Sequence, residues 1–600
     1  MAKELLKRQD IPIEDTWKLS DIYDTEESWN ADVTRIREQA EDLAAYEGKV
    51  GLSAGNLYYV LNTFADMEET CSRLFNYAER LYDEDTSNTE HKAMSAKIYG
   101  VYADIGSRIA FIDPEIIQIP DDTLSRYYED CHELKGYENY INEIRRMSTH
   151  VLSAEMEKLV ALTAEMRQTA SDTYSVLNNA DMEFPEVEDE SGESVRITNG
   201  RFIRLLESSD RRVRKATFEK YYSVYKQFQN TMASLYDGQV KQQIFTARAR
   251  HYASTLECSV DANHVSPVVY HNLIAVVHDN MDKMHRYVRL RKQCLGVDEL
   301  HMYDIYTPMV EGIARKISYE EAKNMVLEAL APLGEEYVAK VKEGFEGRWI
   351  DVYENQGKRS GAYSATAYGI HPYVLLNYNG SLDDVFTLIH EMGHAMHSYY
   401  SDANQPFIYS QYKIFVAEVA STCNEVLLLE YLLKKTEDKR ERLYLLNHYL
   451  DMFKGTLYRQ TQFAEFEMLS NDMVEKGESL NADNLSKLYM ELNQKYYGSD
   501  IISDEQIAYE WARIPHFYYN FYVYQYATSF AAAVAIAHEI LQGGSSAVEK
   551  YKQFLSSGCS KPPVELLKIV GIDMEQPEPI QEALNVMSEV LDEMEKTMSE

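Results

Sequence analysis

Residues 390–394 read His390-Glu391-Met392-Gly393-His394, a spacing that leaves the backbone little choice. Two imidazoles four residues apart share a face on an α-helix, about one turn or ~6 Å along its axis. So placed, they can hold one Zn²⁺ at ~2.0–2.1 Å. The carboxylate between them can reach a water on the ion and take its proton. Zinc lowers the pKa of such a water toward ~7, so hydroxide becomes available for attack on an amide carbonyl at neutral pH. The flanks agree with a helix. Val385, Phe386, Leu388 and Ile389 are apolar, and Ser381 with Asp384 three residues on forms a helix-start capping pattern. The motif is therefore expected about two turns into a helix. A helix that merely carries two His is the bland alternative, and this context speaks against it.

A third ligand is needed. His397 shares the face of His390, but on an unbroken helix it rises ~10 Å above it, too far for one tetrahedral ion. No Gly breaks the run Ala395 to Tyr400, so His397 reads as packing, with a ligand role the lesser alternative. Glu418 is the better candidate. It sits in the apolar stretch Phe415-Val416-Ala417-Glu418-Val419-Ala420, at the start of a helical run to about Lys435, after a connecting loop from Ser401 to Tyr409 that contains Pro406. Two helices so joined can lie antiparallel and turn Glu418 toward the two His. Glu425, seven residues on, shares that face and reads equally as a group that orients a ligand His or as a solvated charge.

The run His390 to His397, followed by Glu418 28 residues after His390, resembles the M3 family of zinc oligopeptidases, in particular its bacterial oligoendopeptidase F branch. Asp15-Thr16-Trp17-Lys18-Leu19-Ser20-Asp21-Ile22-Tyr23, Arg286 to Lys292, Leu300 to Asp304 and His516-Phe517-Tyr518-Tyr519 carry the likeness over nearly the whole chain. The resemblance implies one Zn²⁺ held by His390, His394 and Glu418, with Glu391 as catalytic base. It also implies a mainly α fold: a two-lobed helical zincin-type (neurolysin-like) shell around a deep channel, with a small β-sheet near the active site. One departure stands out. Other branches carry a Gly-Tyr-rich loop late in the chain whose Tyr and His bind the scissile carbonyl, whereas 516–526 here lacks glycine.

That stretch holds one His and five Tyr in eleven residues. Peptide hydrolysis passes through an oxyanion, and Tyr O–H and His N–H are donors suited to it. His516 and Tyr524 are the expected catalytic donors, with Tyr522 behind them; aromatic packing accounts for the rest. Upstream, Tyr373 to Asn377 is a β-prone run bounded by Pro372 and by Asn379-Gly380. A strand just before such a helix can pair with an extended substrate backbone, binding it without demanding a sequence. Tyr373, His371, Gly380 and Tyr519 are accordingly expected at the substrate; a small structural hairpin is the alternative.

Composition bounds the rest. At 600 residues and 45% apolar content the chain can bury a large core. A net charge of −37 argues against nucleic acid and anionic membrane as partners. No apolar run reaches ~18 residues, and the opening Met1 to Asp10 lacks the apolar stretch of a secretory signal. Six widely spaced Cys with no CxxC pair read as reduced thiols, so a cytoplasmic location is expected. Helical periodicity dominates 26–180; a charged turn around Gly192 fits an exposed hairpin. The expected division is an N-terminal helical lobe over 1–200 and a catalytic region over 201–600, with most strand-like material in 354–380.

Three functions fit these features. A zinc-dependent endopeptidase for short peptides leads. A metallo-carboxypeptidase would need a cationic clamp for the terminal carboxylate, and no Arg motif demands one. A scaffold with structural zinc would close the ion with four protein ligands. Partners are then short peptides; no oligomeric state is read from the sequence.

Overall fold

The computed structural model describes residues 5–310 and 316–600, with 154 and 165 described by backbone alone. The first four residues of the opening segment read for a leader thus lie outside it. The chain is mainly helical, as expected. It divides into two compact units, each assembled from three separate segments. Unit 1 comprises 1–149, 315–428 and 536–571; unit 2 comprises 150–314, 429–535 and 572–600.

Unit 1 opens with three long helices, α1 (Glu26–Ala44), α2 (Ala54–Glu84) and α3 (Thr89–Ile109). Each begins where a polar side chain satisfies an otherwise orphan backbone N–H: Thr25 on Ser28 N, Ser53 on Asn56 N, Asn88 on Glu90 N. Their apolar faces meet in one core that contains Trp29, Leu57, Leu74 and Ile98, and Trp29 Nε1 donates to Leu74 O at 3.1 Å. In unit 2 the first long helix is α4 (Arg211–Ala249), which buries Tyr221, Tyr222, Tyr225 and Tyr236.

Among the described residues, seven short strands make up the β structure. β1 (Glu186–Glu188) and β2 (Ser194–Arg196) form the hairpin expected around Gly192, whose φ of +84° is left-handed. β3 (Leu300–His301) pairs in parallel with a late strand, β7 (Ile501–Ile502). The remaining three, β4 (Ile350–Asp351), β5 (Tyr363–Thr366) and β6 (Pro372–Leu375), form one sheet in the order β4-β6-β5. β4 runs parallel to β6 and β5 antiparallel to it, with Ser364 opposite Val374. Ala367, Tyr373 and Leu375 belong to the core of the N-terminal helices, which fixes this sheet against them.

The sheet feeds α5 (Leu382–Asn404), and α6 (Ile414–Lys435) follows after a one-turn helix, Phe407–Ser410. The loop expected from Ser401 is thus shorter than the sequence suggested, because α5 continues to Asn404. Helix α5 packs on both β5 and β6, so the small sheet does lie beside the His-Glu motif. In unit 2, α7 (Arg459–Glu475) carries Arg459, whose guanidinium meets the buried Glu510 at 2.7 Å. Glu510 is also bonded by Arg513 at 3.0 Å and by the Tyr489 hydroxyl at 2.5 Å. A buried carboxylate needs such partners.

Candidate metal centre and its surroundings

Helix α5 begins as its capping signal requires. Ser381 Oγ accepts from Asp384 N at 3.1 Å, and Asp384 Oδ2 accepts from Ser381 N at 2.8 Å. Two turns on, His390 and His394 follow one another along one face, their rings edge to face with centroids 4.9 Å apart. Glu418 of α6 meets both: its Oε2 lies 3.5 Å from His390 Nε2 and 3.5 Å from His394 Nε2. The three ligand atoms fall within 4.8 Å of one another. Ligands at zinc–donor distances in a tetrahedron stand ~3.3 Å apart, so the donor set fits such an ion with little adjustment.

The reason α6 can come so close is Gly393. A Cβ there would stand 2.5 Å from Ser421 Cα and 2.7 Å from Ala420 O, so the two helices touch backbone to backbone. Ser421 Oγ in turn lies 3.2 Å from Glu418 Oε2, and Asn424 Nδ2 donates to Ile389 O at 3.3 Å. Glu425 resolves in favour of an orienting role: its Oε1 takes a short hydrogen bond from His390 Nδ1. In the neutral ring, the form that can bind a metal, that bond holds the proton on Nδ1 and leaves the Nε2 lone pair facing Glu418.

The electrostatics favour a cation. Burial works against a charged His390, but its hydrogen bond to Glu425 and the carboxylates of Glu425, Glu391 and Glu418 hold it up at about 9. Burial also opposes charge on Glu418, and His394 with His390 brings it below the ordinary value. Glu391 is 6% exposed; burial raises its carboxyl against the pull of His390 and His394. Its Oε2 is buried and, among the described residues, has no hydrogen-bond partner. An orphan carboxylate oxygen beside a cation-seeking donor set is what a proton acceptor for a bound water would present.

Other expected residues fare differently. His397 lies outside the ligand group: it is buried and stacked on Tyr412 with centroids 3.7 Å apart, and burial, with His394 nearby, lowers it to about 3. Tyr373 is wholly buried, its hydroxyl donating to Lys18 O at 3.2 Å. Its strand β6 is the central one, so it offers no free edge; β4 and β5 are the edges, and Val352, just past β4, already donates to Asp15 O at 3.0 Å, which leaves β5 as the candidate edge. His371 is stacked on Trp349 and paired with Asp21 at 3.3 Å. Gly380 serves the turn: φ is +86° and a Cβ would meet Ile317 O at 2.8 Å. These three side positions are therefore committed to packing. The sequence run was read correctly as a strand but one strand too late as a binding edge, because alternation does not tell an edge from a centre.

In unit 2, His516 is half-buried and ringed by Tyr519, Tyr522 and Tyr526, with centroids 5.6, 6.1 and 6.0 Å away. Burial lowers its pKa, which favours the neutral imidazole. Tyr519 is 56% exposed, whereas Tyr524 is 1% exposed and packs on Tyr270. Tyr524 is thus a core side chain, and it is Tyr522 whose ring lies beside His516. The missing glycine is explained by Asn520 and Phe521, both left-handed, with φ of +52° and +55°. Glu467 accepts from Phe521 N at 2.7 Å, Ser259 Oγ donates to Asn520 O at 2.7 Å, and Gln239 Nε2 donates to Tyr518 O at 3.2 Å. These polar partners, with Glu467 and Gln239 buried, hold the conformation that glycine would adopt at little cost.

With this geometry described, known proteins provide a comparison. The family model Peptidase family M3 matches residues 204–586, and the model Oligopeptidase F matches 115–184. Oligopeptidase PepF of Bacillus subtilis is 46% identical over 597 residues, spanning 100% of this chain and 89% of that protein. The plasmid-borne oligoendopeptidase F of Lactococcus lactis subsp. cremoris is 40% identical over 597 residues, covering 99% of each. The crystal structure of oligoendopeptidase-F from Enterococcus faecium superposes with a TM-score of 0.76 at 39% identity, over 96% of this chain and 99% of that one.

Proposed function

Because the chain belongs to peptidase family M3, in its oligoendopeptidase F branch, we propose that it hydrolyses internal bonds of short, unstructured peptides with one zinc ion. It is a metalloendopeptidase. The observation that carries the finer reading is the convergence of His390, His394 and Glu418 within 4.8 Å, with the orphan Oε2 of Glu391 beside them.

His390 and His394 through Nε2, and Glu418 through Oε2, would hold the ion. When bound, zinc supplies Lewis acidity, making a water more acidic and polarising a carbonyl. Glu391 takes the proton of the attacking water and passes it to the leaving amine. Glu425 keeps His390 in the tautomer that binding requires. The free edge of β5 pairs with the substrate backbone. In unit 2, His516, Tyr522 and Tyr519 supply hydrogen-bond donors of the kind that suits a peptide carbonyl. A boundary near 200 falls between the matches of the two family models, whereas unit 1 and unit 2 each draw segments from both sides of it. A cytoplasmic setting belongs to the same reading, supported by six unpaired cysteines. Among the described residues no helix is long and apolar enough to cross a membrane.

The test is mass spectrometry of blocked peptides and one folded protein incubated with the purified chain. Internal cleavage of the short peptides alone is expected. Glu391→Gln should retain zinc yet lose at least ~10³-fold in kcat, within the range of a general base acting with a metal. Trimming only from free C-termini, or wild-type rates in Glu391→Gln, would sink this mechanism.

A further inference from the structure

Within unit 1 a cavity of about 530 Å³ opens between α2, α3, β5 and α5. Glu68, Phe75, Tyr102, Ser364, Ser398 and Tyr412 are among its walls. We propose that this cavity is the subsite for a cationic side chain, Lys or Arg, of the bound peptide, with Glu68 as its acceptor. The inference rests on the peptidase reading and adds what that site selects.

Three observations tie the cavity to the reacting centre. Ser398 is one turn beyond His394 on the same face of α5, so the cavity begins ~6 Å along the helix from a proposed metal ligand. Its Oγ lies 3.0 Å from Tyr412 Oη, and that hydroxyl feels the carboxylates of Glu418 and Glu391. Ser364, Ala365 and Thr366 of the edge strand β5 form one wall. A peptide added to that edge would present every second side chain to one face, so a wall pocket beside the edge selects at fixed positions.

The chemistry of the walls sets the class. No Lys or Arg lines the cavity. Glu68 accepts from Tyr102 Oη at 3.1 Å and, among the described residues, makes no ion pair. Burial pushes its carboxyl up, a penalty that an arriving ammonium or guanidinium relieves. Phe75 and Tyr102, with ring centroids 5.5 Å apart, offer apolar faces for the methylene stem and a π face for the cation. Ser364 Oγ is buried with no hydrogen-bond partner among the described residues, a spare polar atom in the same wall. Cys71, also in the wall, is no competing nucleophile: burial, with Glu68 nearby, pushes its thiol up to about 12.

The experiment walks Lys, Arg, norleucine and Glu through each position of one blocked peptide and measures kcat/KM. At one position relative to the cleaved bond, Lys and Arg should exceed norleucine by about tenfold or more. Glu68→Gln should collapse that ratio toward one, and Glu68→Lys should make Glu the preferred residue there. Ratios between peptides are independent of the fraction of folded enzyme, so a poorly folding variant still reports. The same Lys and norleucine peptides are titrated onto Glu391→Gln and Glu391→Gln/Glu68→Gln, which reads the subsite without turnover. An equal preference in wild type and Glu68→Gln, by rate and by affinity, overturns the inference while leaving the peptidase reading intact. Absence of cleavage with retained Lys-selective binding overturns the peptidase reading instead.

Discussion

At the scale of the residue, Gly393 carries more than its place in the motif suggests. A side chain there would collide with the backbone of α6 at Ser421, three residues from Glu418. Gly393→Ala should therefore push α6 away and loosen the third ligand, lowering zinc affinity at least ~10-fold with both His untouched, as a displaced ligand group would. Helix propensity alone predicts the opposite, a gain of about 0.5–1 kcal/mol from replacing a mid-helix glycine. Competition with a chelating dye and urea midpoints separate the two. A variant that binds zinc as wild type does and is also more stable would defeat the close-packing account.

At the scale of the element, Glu467 on α7 and the aromatic loop after Arg513 form one device. Glu467 is fully buried; burial pushes its carboxyl to about 8, against the pull of the Phe521 N–H. Its folded pKa lies above the unfolded value near 4.5, so the native state holds a proton that the unfolded chain releases. The stability tied to this group is fully present below about pH 4.5 and is lost as pH rises toward 8, beyond which it levels off. Glu467→Gln does not titrate, so the difference in urea midpoint should move in the variant's favour between pH 5 and 8. A difference that stays constant over that range would mean that Glu467 is ionised in the folded protein. The sequence marked this loop by its Tyr and His. It did not mark Glu467, which lies 54 residues from Phe521 and reads as an ordinary helix carboxylate.

At the scale of the whole molecule, the proposed metal should act as a ligand of the native state alone, because α5 and α6 bring His390, His394 and Glu418 together only when folded. A ligand present at 100 times its Kd stabilises by about 2.7 kcal/mol. Removal of zinc by a chelator should lower the melting temperature and abolish cleavage, and readdition should restore both. Glu418→Ala should show a melting temperature that no longer responds to zinc. A chelated protein that melts as the loaded one does would place the ion elsewhere.

Much of this was legible in the chain itself. The His-Glu motif, its capping signal and the apolar setting of Glu418 are local, because a helix fixes which residues share a face from spacing alone. The same periodicity gave the helical class, and a charged turn with Gly192 gave the hairpin. What tertiary structure decided were matters of neighbourhood. Edge or centre in the sheet made β5 rather than the strand of Tyr373 the open one. Burial turned Tyr524 and His397 into packing residues. The contact at Gly393 and the partners of Glu425, Glu467 and Glu68 join residues far apart in sequence. Periodicity carries no information about which distant element lies opposite a face; that is set by how whole surfaces fit, and only the folded chain records it.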